Sequence, residues 1–349
     1  MSEHYCIAIR LIDKQYGSGY IARFMLRRST LITLLLAAGT LSGVAASQSG
    51  AWPAKPIRLV VAYPPGGSTD IAGRLLAEAL GRRLGQQIVV DNRSGAGGTV
   101  GALSVVRAEP DGYTLLLAAS PEVSIAPTTM KSMPYDPVRE LQPITLVGQV
   151  PFLLVVNPAL PIANLQEFIA YAKANPNKLN YASFGNNTSN HLAGELFKSL
   201  TGIDAMHVPY KGSGPAIADL IGGQVQYSFD TPPAVLANVK AGKLRALAVA
   251  TSQRLPNAPA VPTAAEAGLP GFVAGTWFGL LAPAKTPRAV IDRLNAEIVS
   301  LLASPELGGA FSERDILPSG GSPEAFGLFI RSEVDKWKTL AAKVGIVAE

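Results

Sequence analysis

The 349 residues carry 30 Lys and Arg, 25 Asp and Glu and three His, a formal charge of +5, and 48% of them are hydrophobic. That length predicts two or three domains with ample core. The single cysteine, Cys6, lies near the N-terminus, so the chain beyond it can form no disulfide, thiolate metal site or cysteine nucleophile; no basic patch is interleaved with aromatics, which excludes nucleic acid as the expected partner.

The first 51 residues differ from the rest. Arg23, Arg27 and Arg28 precede an apolar, charge-free run over 31–46, the pattern of a secretory signal peptide. The run is shorter than the ~20 residues of a spanning helix. Small residues at Val44-Ala45-Ala46 and Ser49-Gly50-Ala51 place cleavage between Ala46 and Trp52, so the mature protein is expected outside the cytoplasm. Residues 1–24 form an unusual polar lead, Met25 is an alternative start, and Arg27-Arg28 also fits a twin-arginine signal. This leader holds five basic and two acidic side chains, so without it the charge falls from +5 to +2.

The mature chain opens on a β-branched apolar run over 57–62, then Tyr63-Pro64-Pro65-Gly66-Gly67-Ser68-Thr69-Asp70, then apolar residues at helical spacing to Leu80. This reads as strand, loop and helix, with Ser68 or Thr69 able to cap and Asp70 in the first turn. Local features fit both a plain βα turn and an anion seat at a helix N-terminus. A strand over 87–91 leads to the glycine-rich loop 92–98 and a helix over 99–108. The run GAGGTVG has Val100 where a dinucleotide fingerprint needs its third glycine, so it does not carry that reading. A strand over 113–119 completes a βαβαβ pattern, which predicts a parallel, doubly wound sheet with ligands at the strands' carboxyl ends, at 63–70 and 120–124.

A Pro-punctuated connection over 121–143 and a strand over 152–157 lead to a second α/β unit. Asn164 with Glu167 predicts a capped helix to Ala174. A strand over 179–183 and the polar loop 185–190 precede a helix ended by Gly202. Then follow a strand over 206–209, a glycine-rich turn over 211–214, a helix to Ile221, a strand over 225–229 ending in Asp230, and a strand over 245–250. A strand over 277–282, a helix from Pro287, a turn over 318–321 and a last helix from Pro323 return to the first unit. The expected fold is two α/β lobes, 52–152 plus 275–349 and 153–274, joined by two crossings around a cleft.

Catalytic signals are few: the chain has no GxSxG, P-loop, HExxH or EF-hand run. His191 beside Ser189 can be a base or simply a cap, and two mature histidines without a spaced carboxylate make a poor metal site. Asp70 and Asp230 fit an acid/base pair or structural carboxylates at element ends. No metal or cofactor is expected.

Nearly the whole mature chain resembles the solute receptors of tripartite tricarboxylate transporters, the Bug proteins. The carrying stretches include PIRLVVAYPPGGSTDIAGRLLAEAL, VVDNRSGAGGTVGA, NYASFGNNTSNHLAGELFKSLTG, HVPYKGSGPAIADLIGGQVQYSFD and RLPNAPAVPTAAEAGLPGF. The resemblance implies a type II periplasmic binding fold, a non-enzyme that closes as a monomeric receptor on a small carboxylated solute, and delivery to a permease with one large and one small membrane subunit. A sensor feeding a signalling partner and a secreted hydrolase are the alternatives. By position, the resemblance assigns ligand binding to Tyr63, Gly66, Gly67, Ser68, Thr69, Asp70 and Ser120 in one lobe. In the other it assigns Ser183, Asn186, Thr188, Ser189, Asn190, His191 and Asp230. Two departures stand out: Asn187 replaces an expected glycine, and SPEVSIAP over 120–127 introduces Glu122, expected either solvated at the rim or facing the pocket.

Overall fold

The computed structural model describes residues 52–343; the leader, its cleavage site, Met25 and Cys6 lie outside the described residues. In chain order the principal elements are β1 (Ile57–Val61), α1 (Ser68–Leu84), β2 (Ile88–Asn92), α2 (Thr99–Val106), β3 (Thr114–Ala119), β4 (Leu141–Pro151) and β5 (Leu153–Val156). There follow α3 (Leu165–Ala174), β6 (Asn180–Ser183), α4 (Ser189–Thr201), β7 (Met206–Pro209), α5 (Ser213–Ile221), β8 (Tyr227–Asp230), α6 (Pro232–Lys240) and β9 (Arg245–Val249). The chain closes with β10 (Gly275–Pro283), α7 (Arg288–Leu302), β11 (Leu317–Gly320) and α8 (Pro323–Lys343).

Two sheets result, ordered β11-β4-β10-β3-β1-β2 and β7-β6-β8-β5-β9. They are mixed, not parallel throughout as the βαβ pattern predicts. β2, β1 and β3 run parallel, as do β7, β6 and β8. β10, β4 and β11 run antiparallel to their neighbours, and so does β5 to β8 and β9. The antiparallel strands include those carrying the chain from one sheet to the other, because a strand leaving a sheet and one returning to it run in opposite directions. At the crossings Phe152 N–H donates to Ala274 O (3.1 Å), Ala250 N–H to Phe152 O (2.8 Å) and Ala274 N–H to Ala250 O (3.1 Å). Three backbone bonds thus tie both crossings side by side.

Three elements depart from the sequence reading. β4 takes the last three residues of the expected connection and the stretch between it and the expected strand over 152–157; Pro143 lies at a register shift against β10, where a missing N–H costs no ladder bond. β11 forms at the expected turn, tolerating Pro318 because it is an edge strand. α6 opens on Pro232 and Pro233, which suit the first helical positions. Asn164 does cap α3, its Oδ1 accepting from Glu167 N–H at 3.0 Å, while Glu167 accepts from Ala163 N–H at 2.7 Å.

Each sheet has its own core. Phe168, Tyr181, Phe197, Tyr227 and Phe229 stack under the second sheet, where Gly194 lets α4 approach so closely that a Cβ would lie 2.3 Å from the Tyr181 ring. On the first sheet Trp277 packs edge-on against Phe326 and Phe329, and both Trp277 and Trp337 donate an indole N–H to Glu333 of α8. Each core packs against its own sheet, and the carboxyl ends of the two sheets face each other. Among the described residues no helix is long and apolar enough to cross a membrane.

Candidate functional site

The facing ends enclose a cleft of about 580 Å³, including its open mouth. Tyr63, Pro64, Ser68 and Thr69 line it from the first sheet, with Pro121 and Thr276 behind them. Phe184, Thr188, Ser189, Gly212, Ser213 and Thr231 line it from the second. No charged side chain is among the lining residues. The two sides touch beside it: a Cβ on Gly212 would lie 3.0 Å from Pro64 Cγ, and one on Gly97 3.4 Å from Asn186 O.

Three helices, α1, α4 and α5, begin at this cleft. The first amides of an α-helix have no partner within the helix, and a side-chain cap normally supplies one. No side-chain cap is made here: α1 follows Gly67, α5 follows Gly212, and Thr188 ahead of α4 points its hydroxyl elsewhere. Thr188 Oγ1 donates to Gly185 O and Asn190 Oδ1, both at 2.7 Å, and Ser213 Oγ donates to Asp230 Oδ2 at 2.8 Å. The amide donors of three first turns therefore remain for a ligand, at the positive ends of three helix dipoles. α6 also starts here, but its first two residues are prolines without N–H, so it adds only Thr231 to the wall.

The expected site residues fall into three groups. Tyr63, Gly67, Ser68, Thr69, Thr188 and Ser189 line the cleft, while Gly66 stands outside its lining. Asp70, Ser120, Ser183, Asn190, His191 and Asp230 stand behind the walls and hold them. Asn186 faces a neighbouring cavity. Asp70 is buried; it accepts from Gly66 N–H (3.0 Å), Arg74 (2.9 Å) and Asn92 Nδ2 (2.9 Å), and Asn92 also donates to Tyr63 O (2.9 Å). This network shapes the loop 63–67 instead of offering a free carboxylate. Ser120 Oγ lies 3.0 Å from Thr276 Oγ1 and is wholly buried.

The two histidines brace the second wall. His191 stacks on His207 with centroids 4.0 Å apart, and its Nδ1 accepts from Asn187 N–H at 3.1 Å. His207 Nε2 meets Ser183 Oγ at 2.5 Å. Asn187 takes the left-handed conformation, φ 60°, that its expected glycine would have allowed; asparagine is the side chain that best tolerates it. Glu122 is neither solvated at the rim nor part of the cleft lining: it is fully buried, accepting from Ala119 N–H (2.7 Å) and Tyr63 OH (2.9 Å).

The carboxyls respond oppositely to these settings. For Asp70 burial acts upward, yet hydrogen bonds from Arg74, Gly66 and Asn92 outweigh it and hold the group below its ordinary value. Burial pushes Asp230 up to about 7 against the Ser213 and Thr231 donors, and Glu122 up to about 8 against Ala119 and Tyr63. Burial, reinforced by His191 and Lys198, lowers His207 to about 3. No base with a nucleophile beside it faces the cleft among the described residues, and no three His, Cys, Asp or Glu side chains gather to hold a metal there.

The sequence reading missed Ser213, Thr231, Thr276 and the aromatic wall of Phe152 and Phe184. Gly212-Ser213-Gly214 repeats the small-residue helix start found at Gly67-Ser68 and Thr188-Ser189; the sequence reading placed a turn and a helix there without assigning them to the site.

Two mixed α/β units joined at a double crossing, with helix N-termini converging on the cleft, define a periplasmic binding protein. The chain belongs to the tripartite tricarboxylate transporter family receptors, whose family model matches residues 72–346, and within them to the Bug proteins. Protein BugT of Bordetella pertussis is 41% identical over 306 residues, covering 87% of this chain and 94% of BugT. Rpa4515 of R. palustris, solved with adipate, is 36% identical with a TM-score of 0.84, covering 85% of this chain and 100% of that one. MatC of Rhodopseudomonas palustris, solved with malate bound, is 32% identical with a TM-score of 0.78, covering 83% and 99%. The protein is thus a member of a family of solute-binding transport receptors.

Proposed function

We propose that this protein is exported, loses its leader between Ala46 and Trp52, binds a small carboxylate between its two lobes as a monomer, and hands it to a tripartite tricarboxylate-type permease of one large and one small membrane subunit. The observation that carries this reading is the convergence of three helix starts without side-chain caps on a cleft without charged side chains. Such a seat offers directed N–H and O–H donors, which match the planar acceptor geometry of a carboxylate. The malate and adipate held by two relatives are consistent with that chemistry. The lobes, 52–152 with 275–349 and 153–274, supply complementary halves of the seat, so only closure about the crossings satisfies one ligand fully. Binding without turnover follows from a cleft whose hydroxyls have no base beside them.

A thermal-shift screen of carboxylates, phosphates and sugars tests this. A ligand at about 100 times its Kd adds about 2.7 kcal/mol of stability. Carboxylates should give the shifts, Ser189→Ala and Ser213→Ala should each weaken them from the second lobe, and Thr69→Ala from the first. Hits confined to sugars or phosphates, or hydrolysis of an ester by the purified protein at a rate lost in Ser189→Ala, would overturn the reading.

A further inference from the structure

A second cavity adjoins the cleft. It measures about 1460 Å³ including its open mouth, and Tyr63, Pro64 and Phe184 belong to the walls of both, so the two cavities adjoin along these three side chains. Its far walls are the glycine-rich loop 94–98 of the first sheet and residues 185–187 and 209–211 of the second. Because Gly97 and Asn186 approach each other across it, both sheets shape it when they are together. One charged side chain is in the lining, Lys211, which is exposed and has neither an ion pair nor a hydrogen bond among the described residues.

We propose that this outer cavity is a second anion subsite, in which Lys211 receives the distal carboxylate of an elongated diacid whose first carboxylate sits at the helix starts of the inner cleft. The proposal rests on the carboxylate reading of that cleft. The inner cleft has no cation in its lining, so it offers the distal carboxylate of a long diacid no opposite charge. Lys211 supplies one. It sits one residue before Gly212 and two before Ser213 at the start of α5, so the loop that presents donors to the proximal carboxylate also carries the cation for the distal one. The shared aromatic walls suit the apolar methylenes between the two charges. A short diacid spends both carboxylates in the inner cleft, whereas a longer one spans the neck.

Calorimetry on the exported protein, with malate, adipate and suberate beside hexanoate and octanoate, separates the two levels of the reading. Adipate and suberate should bind up to about fivefold tighter than the monoacid of equal length, the size of an exposed ion pair, and added salt should shrink the gap. Lys211→Gln should bring each long diacid down to its monoacid, and Lys211→Arg should restore the preference. A gap that is absent, or that survives in Lys211→Gln, would overturn the outer subsite while leaving the inner one standing; so would equal losses for monoacids and diacids in that variant. If no carboxylate of any length binds, the inner reading fails and takes this one with it.

Discussion

Helices begin in two ways in this molecule. Away from the cleft, Asn164 caps α3 through its own carboxamide, and Asp136 caps the short helix Pro137–Glu140 by accepting from Val138 and Arg139 N–H at 3.0 and 3.1 Å. At the cleft, Gly67 and Gly212 hold the cap positions of α1 and α5 and have no side chain to cap with, while Thr188 ahead of α4 spends its hydroxyl on Gly185 and Asn190, and Ser213 in the first turn of α5 spends its own on Asp230. A side-chain cap stabilises by about 1 kcal/mol, so the cleft helices forgo stability that the outer ones take. The lack of a cap alone is not the distinguishing feature, since α7 also lacks one after Pro287. What sets the cleft apart is that three such starts share one ligand-sized space. The difference teaches that the site is made by withholding local satisfaction, with buried carboxyls such as Asp230 drawing the hydroxyls aside.

That contrast can be broken from either side. The largest effect concerns the carboxyl that diverts Ser213 and Thr231. Asp230, raised to about 7 in the folded protein from an ordinary 3.8, holds its proton between those values while the unfolded chain has lost it. Its contribution is therefore fully present below pH ~4 and is lost as pH rises to about 7, on the order of a few kcal/mol. Asp230→Asn should gain on wild type in thermal melts over that interval; taking the difference cancels His207, which titrates the other way. A difference that stays flat with pH would show Asp230 ionised throughout.

Next in size, Ser189→Asp places a carboxylate on the first turn of α4. It should stabilise the ligand-free protein by about 0.3 to 1 kcal/mol and weaken carboxylate binding roughly 100-fold, about 2.7 kcal/mol, because the seat then holds its own anion. Unchanged affinity in calorimetry would show that α4 does not contact the ligand. Gly212→Ala puts a Cβ 3.0 Å from Pro64 Cγ at φ 125°; the strain should oppose closure and cost about tenfold in affinity, roughly 1.4 kcal/mol. Small-angle scattering at saturating ligand should show it less compact than wild type. Smallest of all, Asn164→Ala should lower stability by about 1 kcal/mol and leave affinity unaltered; a matching loss of affinity would mean that capped and uncapped helices do not divide the labour as described.

Much of this was legible in the sequence, for identifiable reasons. Helical spacing and small polar residues ahead of α1 and α4 exposed two of the three helix starts. The turn over 211–214 and the helix to Ile221 located α5 but not its share in the site; Pro232-Pro233 masked α6, and Pro143 and Pro318 masked β4 and β11, because each of these prolines sits where the backbone needs no N–H. Position in the family pattern pointed Asp70 toward a ligand and left Glu122 between the solvated rim and the pocket. Only three dimensions show that Arg74, Asn92, Tyr63 and Ala119 already occupy their oxygens. A polar residue's sequence position tells where its backbone lies, and its partners decide what it is free to do.

The central claim is that one ligand is held by first-turn amides from both sheets at once. Amide resonances followed during titration with adipate test it most directly, with Thr69 of α1, Ser189 of α4 and Gly214 of α5 as reporters and Glu167 of the capped α3 as control. The three reporters should shift together along a single binding curve while Glu167 stays fixed. Shifts confined to the reporters of one sheet, or absent from all three while binding is saturated, would contradict it.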